Sequence, residues 1–369
     1  MNQSLRVAFQ AAAHSRHISP NAAPIPRIAL HTPDFVNIPG TYQLIAFKGH
    51  FAHAWLGRDR FVDRPVMHEK YLYLRLFGPD DFPVHAYAGL LHFLQWGGTH
   101  PVVGKIPTDF DDYLNVFFGR RNTNDVVDTS TLGNAGNSVL SLDFALEIDF
   151  PRFSTLAYRQ FYLEAQADLL FRSALDGLWG LRIQRRGRPK LINAFLYEWA
   201  YTARQGAKTS TILVDDPRDS SQYYSHSTYQ TGWTHQGRTI GHSLLFSDGS
   251  LTRPVKNSIV IGHHFAVEGA FPLIIPTSYR ILVTYSLNYG SRDDCSDGGC
   301  SGNPQFYTGR LDQASGLAEL IFRFDKGVGL RLGIAADRGQ LYDDRNGVSF
   351  ALSWQPPPRS WRPPVLAIK

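Results

Sequence analysis

The chain has no apolar run approaching the roughly 20 residues that a membrane-spanning helix requires. Its mean hydropathy is slightly negative, at −0.23. A helical membrane protein is thereby excluded. A membrane β-barrel is not, because alternating strands average out in any hydropathy window. Methionine and cysteine are scarce, with two of each among 369 residues. Cys295 and Cys300 share one short polar loop, an arrangement that suits a disulfide in an oxidising compartment. Two thiols are too few soft ligands for a metal of their own, and that loop does not follow the EF-hand calcium pattern. There is no nucleophile elbow, phosphate loop or zinc spacing. Glu164 and Asp168 form no evident catalytic dyad, and His263 and His264 point to opposite faces of a strand. The expectation is therefore no enzyme, no cofactor and no metal. Met1 to Gln10 lacks the basic start and apolar core of a secretory signal. For an exported protein, that implies a mature or shortened chain.

Aromatic residues are plentiful, at 13%. The net charge is +5 and the pI about 9.1, with arginine well ahead of lysine. Such an excess suits nucleic acid, anionic lipid headgroups or an acidic polymer.

The strongest pattern has period two, the signature of a strand with two unlike faces. In 278–289, Tyr279, Ile281, Val283, Tyr285, Leu287 and Tyr289 fall on one side. Ser278, Arg280, Leu282, Thr284, Ser286 and Asn288 fall on the other. Leu140, Leu142, Phe144, Leu146 and Ile148 likewise oppose Ser141, Asp143, Glu147 and Asp149. The same alternation recurs around Leu72, Tyr197, Phe265, Leu320, Leu332 and Phe350. A soluble sandwich also alternates. These strands, however, are often near the 9–11 residues that cross a bilayer at a tilt, and their apolar faces begin or end in Tyr, Trp or Phe. Short connections near 78–83, 151–152, 187–190, 271–277 and 326–327 alternate with longer ones. The longer ones lie at 57–65, 97–137, 166–176, 205–257, 291–315 and 337–347, so all short turns share one side. The expected fold is an all-β, transmembrane, antiparallel up-and-down barrel with long extracellular loops. About twelve strands or more lie in this chain. Residues 41–355 form the barrel. Residues 1–40 hold a strand remnant and a proline-rich segment that is an extended linker or folds inward. Residues 356–369 form a Pro/Arg-rich tail.

Several clusters are candidates for chemistry. The loop 205–257 concentrates Tyr223, Tyr224, Tyr229, Trp233, His235 and Arg238, flat rings among amides, hydroxyls and a guanidinium. Saccharides bind to such sets, C–H faces on rings and hydroxyls on polar groups. The alternative is that these aromatics fold the loop onto the barrel rim. Trp96 ends a strand at the outer rim and leads into a short helix near 108–118. Arg120 and Arg121 follow it and suit an acidic polymer or plain solvation. Charges on the polar strand faces, such as Glu69, Asp143, Glu147, Glu198, Arg280 and Glu319, must be hydrated or paired inside a barrel.

Several stretches together resemble the capsule assembly Wzi family, most closely its Bacteroidota-type members. They are Phe47-Lys48-Gly49-His50-Phe51, His68-Glu69-Lys70-Tyr71, Gln95-Trp96-Gly97-Gly98, Asp176-Gly177-Leu178-Trp179-Gly180 and Tyr229-Gln230-Thr231-Gly232-Trp233. The resemblance implies an outer-membrane barrel of up to 18 strands in its intact form, acting as a surface lectin that tethers capsular polysaccharide. The implied partners are acidic capsular or extracellular polysaccharide, outer-membrane lipid or lipopolysaccharide, and envelope proteins, with no nucleic acid. Three features depart from the family: the upstream strands and any helical plug are missing, the C-terminus lacks the usual final aromatic and carries the Pro/Arg tail instead, and no motif fixes the sugar site. A porin-like channel or a barrel subunit of a larger envelope complex is the alternative function.

Overall fold

The computed structural model describes residues 19, 21–79, 82–118, 136–163, 173–205, 223–271, 273, 275–291, 305–324 and 327–355. Its wall is a single 14-stranded antiparallel sheet. The strands are β1 (Arg27–His31), β2 (Val36–Asn37), β3 (Ile45–Trp55), β4 (Val66–Leu76), β5 (Val84–Trp96), β6 (Asn137–Asp149) and β7 (Phe153–Leu163). They continue as β8 (Gly177–Arg185), β9 (Ala194–Tyr201), β10 (Val260–Phe271), β11 (Thr277–Ser291), β12 (Gln305–Arg323), β13 (Val328–Gly339) and β14 (Arg345–Trp354). From β3 onward each strand pairs with its sequence neighbour, and β1 and β2 share the free edge of β3. The twelve long strands are those expected from the alternation. Paired residues begin at Arg27, ahead of the expected start at 41. Strand β12 begins about ten residues before the apolar alternation does. There its outward positions, Arg310 and Asp312, pair with each other at 2.6 Å, a polar surface that hydrophobic patterning cannot reveal.

The two faces of the wall differ as the alternation requires. Outward rings and aliphatics are exposed, among them Leu72, Leu90, Phe144, Leu181, Ile183, Phe265, Ile281, Val283, Leu320, Leu332 and Phe350. Aromatics bracket this belt. Near its loop end, one row of partners across five strands reads Arg159, Trp179, Trp199, His263 and Tyr285. Near its turn end, Phe150 stacks on Phe153 at 4.5 Å and Phe271 meets Tyr279 at 5.1 Å.

Inward polar side chains are buried and paired, because a buried polar group without a partner is costly. Tyr73 donates to Asp143 (2.6 Å), Tyr87 to Glu147 (2.7 Å) and Tyr158 to Glu198 (2.5 Å). Arg280 meets Glu319 at 2.5 Å. Tyr158 lies flat over the glycine opposite it: a Cβ on Gly180 would come within 2.0 Å of its ring.

Candidate functional site

All long connections leave the same end of the wall, and the longest returns into its interior. Residues 223–257 pack against inward side chains in one apolar cluster, with Trp233, Tyr223, Tyr224 and Ile240 meeting Phe93, Val139, Leu156, Leu178 and Leu196. Ala22 and Ile25 pack against this cluster, and Asn21 donates to the Thr239 carbonyl at 3.0 Å, so the N-terminal segment also folds inward.

The local fold of this plug follows from its sequence. Gly232 has φ near +63°, and a Cβ there would meet the Tyr224 carbonyl oxygen at 2.1 Å. Glycine alone fits a left-handed position with backbone that close. The turn it allows brings the Trp233 N–H onto the Tyr224 carbonyl (2.8 Å) and the Ile240 N–H onto the Trp233 carbonyl (3.0 Å). The rings then become fixtures: Tyr223 donates to Asp176 (2.8 Å), Tyr229 donates to the Gly97 carbonyl (3.2 Å), and the Tyr224 hydroxyl accepts from the His242 N–H (2.7 Å).

Two wall loops hold the plug from the rim. Arg60, in the β3–β4 connection, donates to the carbonyls of Gly232 (2.8 Å) and Thr234. Gln95, at the end of β5, donates to Gly232 at 3.0 Å. Burial lowers the Arg60 pKa to about 10, which still leaves it cationic at neutral pH. His235 is pushed below the ordinary histidine range, first by burial and then by Arg60. Burial likewise raises the Tyr229 phenol.

These placements correct the expected saccharide set. Tyr223, Tyr224, Tyr229 and Trp233 are at most 2% exposed, so neither ring face is open to a sugar. The alternative placed the rings on the barrel rim, whereas they pack inside the wall against its inward side chains. His235 is buried beside Arg60, and Trp96 is covered on the outer face of the wall by Tyr113 at 5.9 Å. Arg238 is exposed. Arg120, Arg121, Cys295 and Cys300 lie outside the described residues.

Beside the plug, the wall strands β10–β12 leave a cleft of about 300 Å³, the lower end of the range for ligand sites. Its walls carry Ser243, His264, Thr284, Ser286, Gln313 and Ser315, with Leu244, Leu282 and Leu317 between them and Tyr342 at the loop end. No Asp, Glu, Lys or Arg lines it. The Gln313 side-chain oxygen accepts from the backbone N–H groups of Leu341 and Tyr342, at 3.2 Å each, and so fixes the β13–β14 loop over the cleft. Tyr342 packs edge-on against Phe246 at 5.4 Å. Its phenol is raised by burial and by Asp337, while the Arg238 charge pulls it down. Ser315 donates to Asp337 at 2.5 Å, and His264 Nδ1 lies 2.7 Å from the Thr284 hydroxyl. Uncharged donors and acceptors, short aliphatic surfaces, one tyrosine and an arginine nearby can hold a polyhydroxylated ligand without displacing a fixed ion pair. Thr284 and Ser286 were legible as inward polar residues. Gln313 and Tyr342 were not, because their role depends on a contact between a strand and a loop.

Among the described residues, no group of three or more His, Cys, Asp or Glu side chains is arranged to hold a metal ion.

A family model described as capsule assembly protein Wzi matches residues 10–249. Among solved structures, the chain is similar to Wzi of Escherichia coli, described as an outer membrane protein involved in group 1 capsule assembly and a carbohydrate-binding β-barrel. The TM-score is 0.56 at 11% identity, with 92% of this chain and 63% of that one covered. The chain thus spans less than two thirds of that relative. BamA from Haemophilus ducreyi gives a TM-score of 0.35 at 11% identity, over 89% of this chain and 62% of that one. No curated protein sequence matches.

Proposed function

This chain belongs to the capsule assembly protein Wzi family, and on that footing we propose that it is a non-enzymatic outer-membrane lectin that holds capsular or extracellular polysaccharide at the cell surface. The E. coli relative is an outer-membrane carbohydrate-binding barrel, and the apolar outward face of this wall suits surrounding lipid. The observation that carries the reading is the cleft under Tyr342. It sets uncharged polar groups among aliphatic ones, with no Asp, Glu, Lys or Arg, and reaches the end of the wall where the long connections gather. Sugar C–H faces would meet Tyr342, Leu244 and Leu282, and hydroxyls would meet Gln313, Thr284 and Ser286. Arg238 would meet the carboxylate of an acidic residue in the polymer. A porin-like channel is disfavoured by the apolar cluster that occupies the interior.

A glycan array of acidic and neutral polysaccharides tests this, run beside planar-bilayer recordings. Selective glycan binding with no stable conductance is expected. No binding to any polysaccharide, together with single-channel conductance, would sink the lectin reading.

A further inference from the structure

One region of the outward face breaks the apolar rule. At the loop end of β3–β6, one row of partners reads His53, His68, Leu94 and Ser138, and the next reads Phe51, Lys70, His92 and Leu140. All these positions point away from the lumen. Lipid would meet three histidines, a lysine and a serine on adjacent strands, yet His68, His92 and Ser138 are buried.

Over His68 and Lys70 lies the helix α1 (Phe110–Phe118), on the outside of the wall. Tyr113 sits 6.0 Å from His68, and Phe117 sits 5.7 Å from His68 and 6.1 Å from Phe51. The Lys70 ammonium is 4.4 Å from the centre of the Phe117 ring and donates to the Phe117 carbonyl, satisfying an acceptor at the helix C-terminus. At the other end, the Asp112 carboxylate accepts from the Asp109 N–H at 3.0 Å. The helix is thus capped at its start and tied to the wall at its end, with Tyr113 and Phe117 on the wall. It also presents Phe110 and Phe118 outward, 72% and 59% exposed. Directly below, the apolar belt resumes with Leu72 and Leu90, which pair with each other.

We propose that α1 is a lipid-facing clasp. It seals a polar patch of the barrel wall and carries the apolar belt across it, and Phe110 and Phe118 contact the acyl chains of the outer leaflet. The lipid is argued from continuity: the exposed rings extend the same outward surface as Phe51, Leu72 and Leu90, and lysine or histidine at lipid-facing wall positions is unfavourable. Interfacial helices bind in this way, with aromatics on the buried side. The inference rests on the outer-membrane reading above.

Spin labels at Phe110→Cys and Phe118→Cys test it, in the full chain carrying Cys295→Ser and Cys300→Ser, reconstituted in phospholipid–lipopolysaccharide vesicles. Val283→Cys on the outer face of β11 is the belt reference. The oxygen-to-nickel-chelate accessibility ratio at 110 and 118 is expected within about twofold of that at 283. A water-like ratio at 110 and 118 beside a lipid-like ratio at 283 overturns the clasp and leaves the barrel standing. Low access to both reagents at 110 and 118 also overturns it, in favour of a protein cover. A water-like ratio at 283 as well overturns the outer-membrane reading itself.

Discussion

Arg60 donates to the carbonyl of Gly232 at 2.8 Å, across 172 residues of sequence. That contact ties the rim of the wall to the tight turn on which the plug is built. Without the guanidinium, the Gly232 carbonyl keeps its Gln95 donor but loses one of two, and the Thr234 carbonyl loses its Arg60 donor, among the described residues. Arg60→Met should therefore lower stability by about 1–3 kcal/mol, the cost of leaving a buried acceptor without a donor. Hydrogen exchange should locate the added opening in 223–257 and not in β10 or β11. Uniform loss across all strands would contradict a local clamp.

Trp233 is fully buried in the plug, whereas Arg238 is exposed. Trp233→Ala should cost about 3–5 kcal/mol, as large-to-small changes in cores do. Arg238→Ala should change stability by less than about 0.5 kcal/mol and weaken binding of acidic polymer. Urea midpoints followed by circular dichroism in detergent, with a binding assay alongside, separate the two effects. A stable Trp233→Ala variant that fails to bind sugar would return Trp233 to the ligand site.

The plug should loosen in mild acid. Burial and then Arg60 hold the His235 pKa below 6.5. As pH falls through the ordinary histidine range, the unfolded segment takes up a proton that the folded plug refuses. The contribution of His235 is therefore intact above that range and is lost as pH falls through it. Protection factors of 223–257, corrected for intrinsic exchange, should drop between pH 8 and pH 5. His235→Gln should flatten that drop, and an equal drop in the variant would assign it to another group.

In the lumen, Tyr73→Phe should cost about 1.5–3 kcal/mol by removing a hydrogen bond to a buried carboxylate. Asp143 would retain Ser141 and Gln160, at 2.9 and 3.0 Å. The double change Tyr73→Phe with Asp143→Leu should cost less than the sum of the single changes. Additivity within error would mean that the pair is not coupled.

The wall was legible because one physical rule, apolar outside and polar inside with period two, acts on each strand separately. Val283 and Thr284 declare their faces with no knowledge of their neighbours. The plug was not legible in that way. Tyr223, Tyr229 and Trp233 have the same composition whether they stack on a sugar or fill an interior, and the choice is made by distant partners such as Asp176, Gly97 and Arg60. Strand β12 was read short for a related reason. Beyond the belt, outward Arg310 and Asp312 pair with each other and carry no hydrophobic signal. Nor does spacing reveal that His68 and Lys70, outward on the wall, lie beneath a helix.

The central claim is that a saccharide occupies the cleft beneath Tyr342, where Gln313 fixes the overlying loop. The most direct test is isothermal titration of the best-binding capsular oligosaccharide into the folded protein, its Tyr342→Ala and Gln313→Ala variants, and a Tyr42→Ala control at an exposed site before β3. Both cleft variants should weaken binding by roughly 1–3 kcal/mol while the control binds as the parent does. Unchanged affinity in Tyr342→Ala and Gln313→Ala, with both proteins folded, would contradict the cleft as the site.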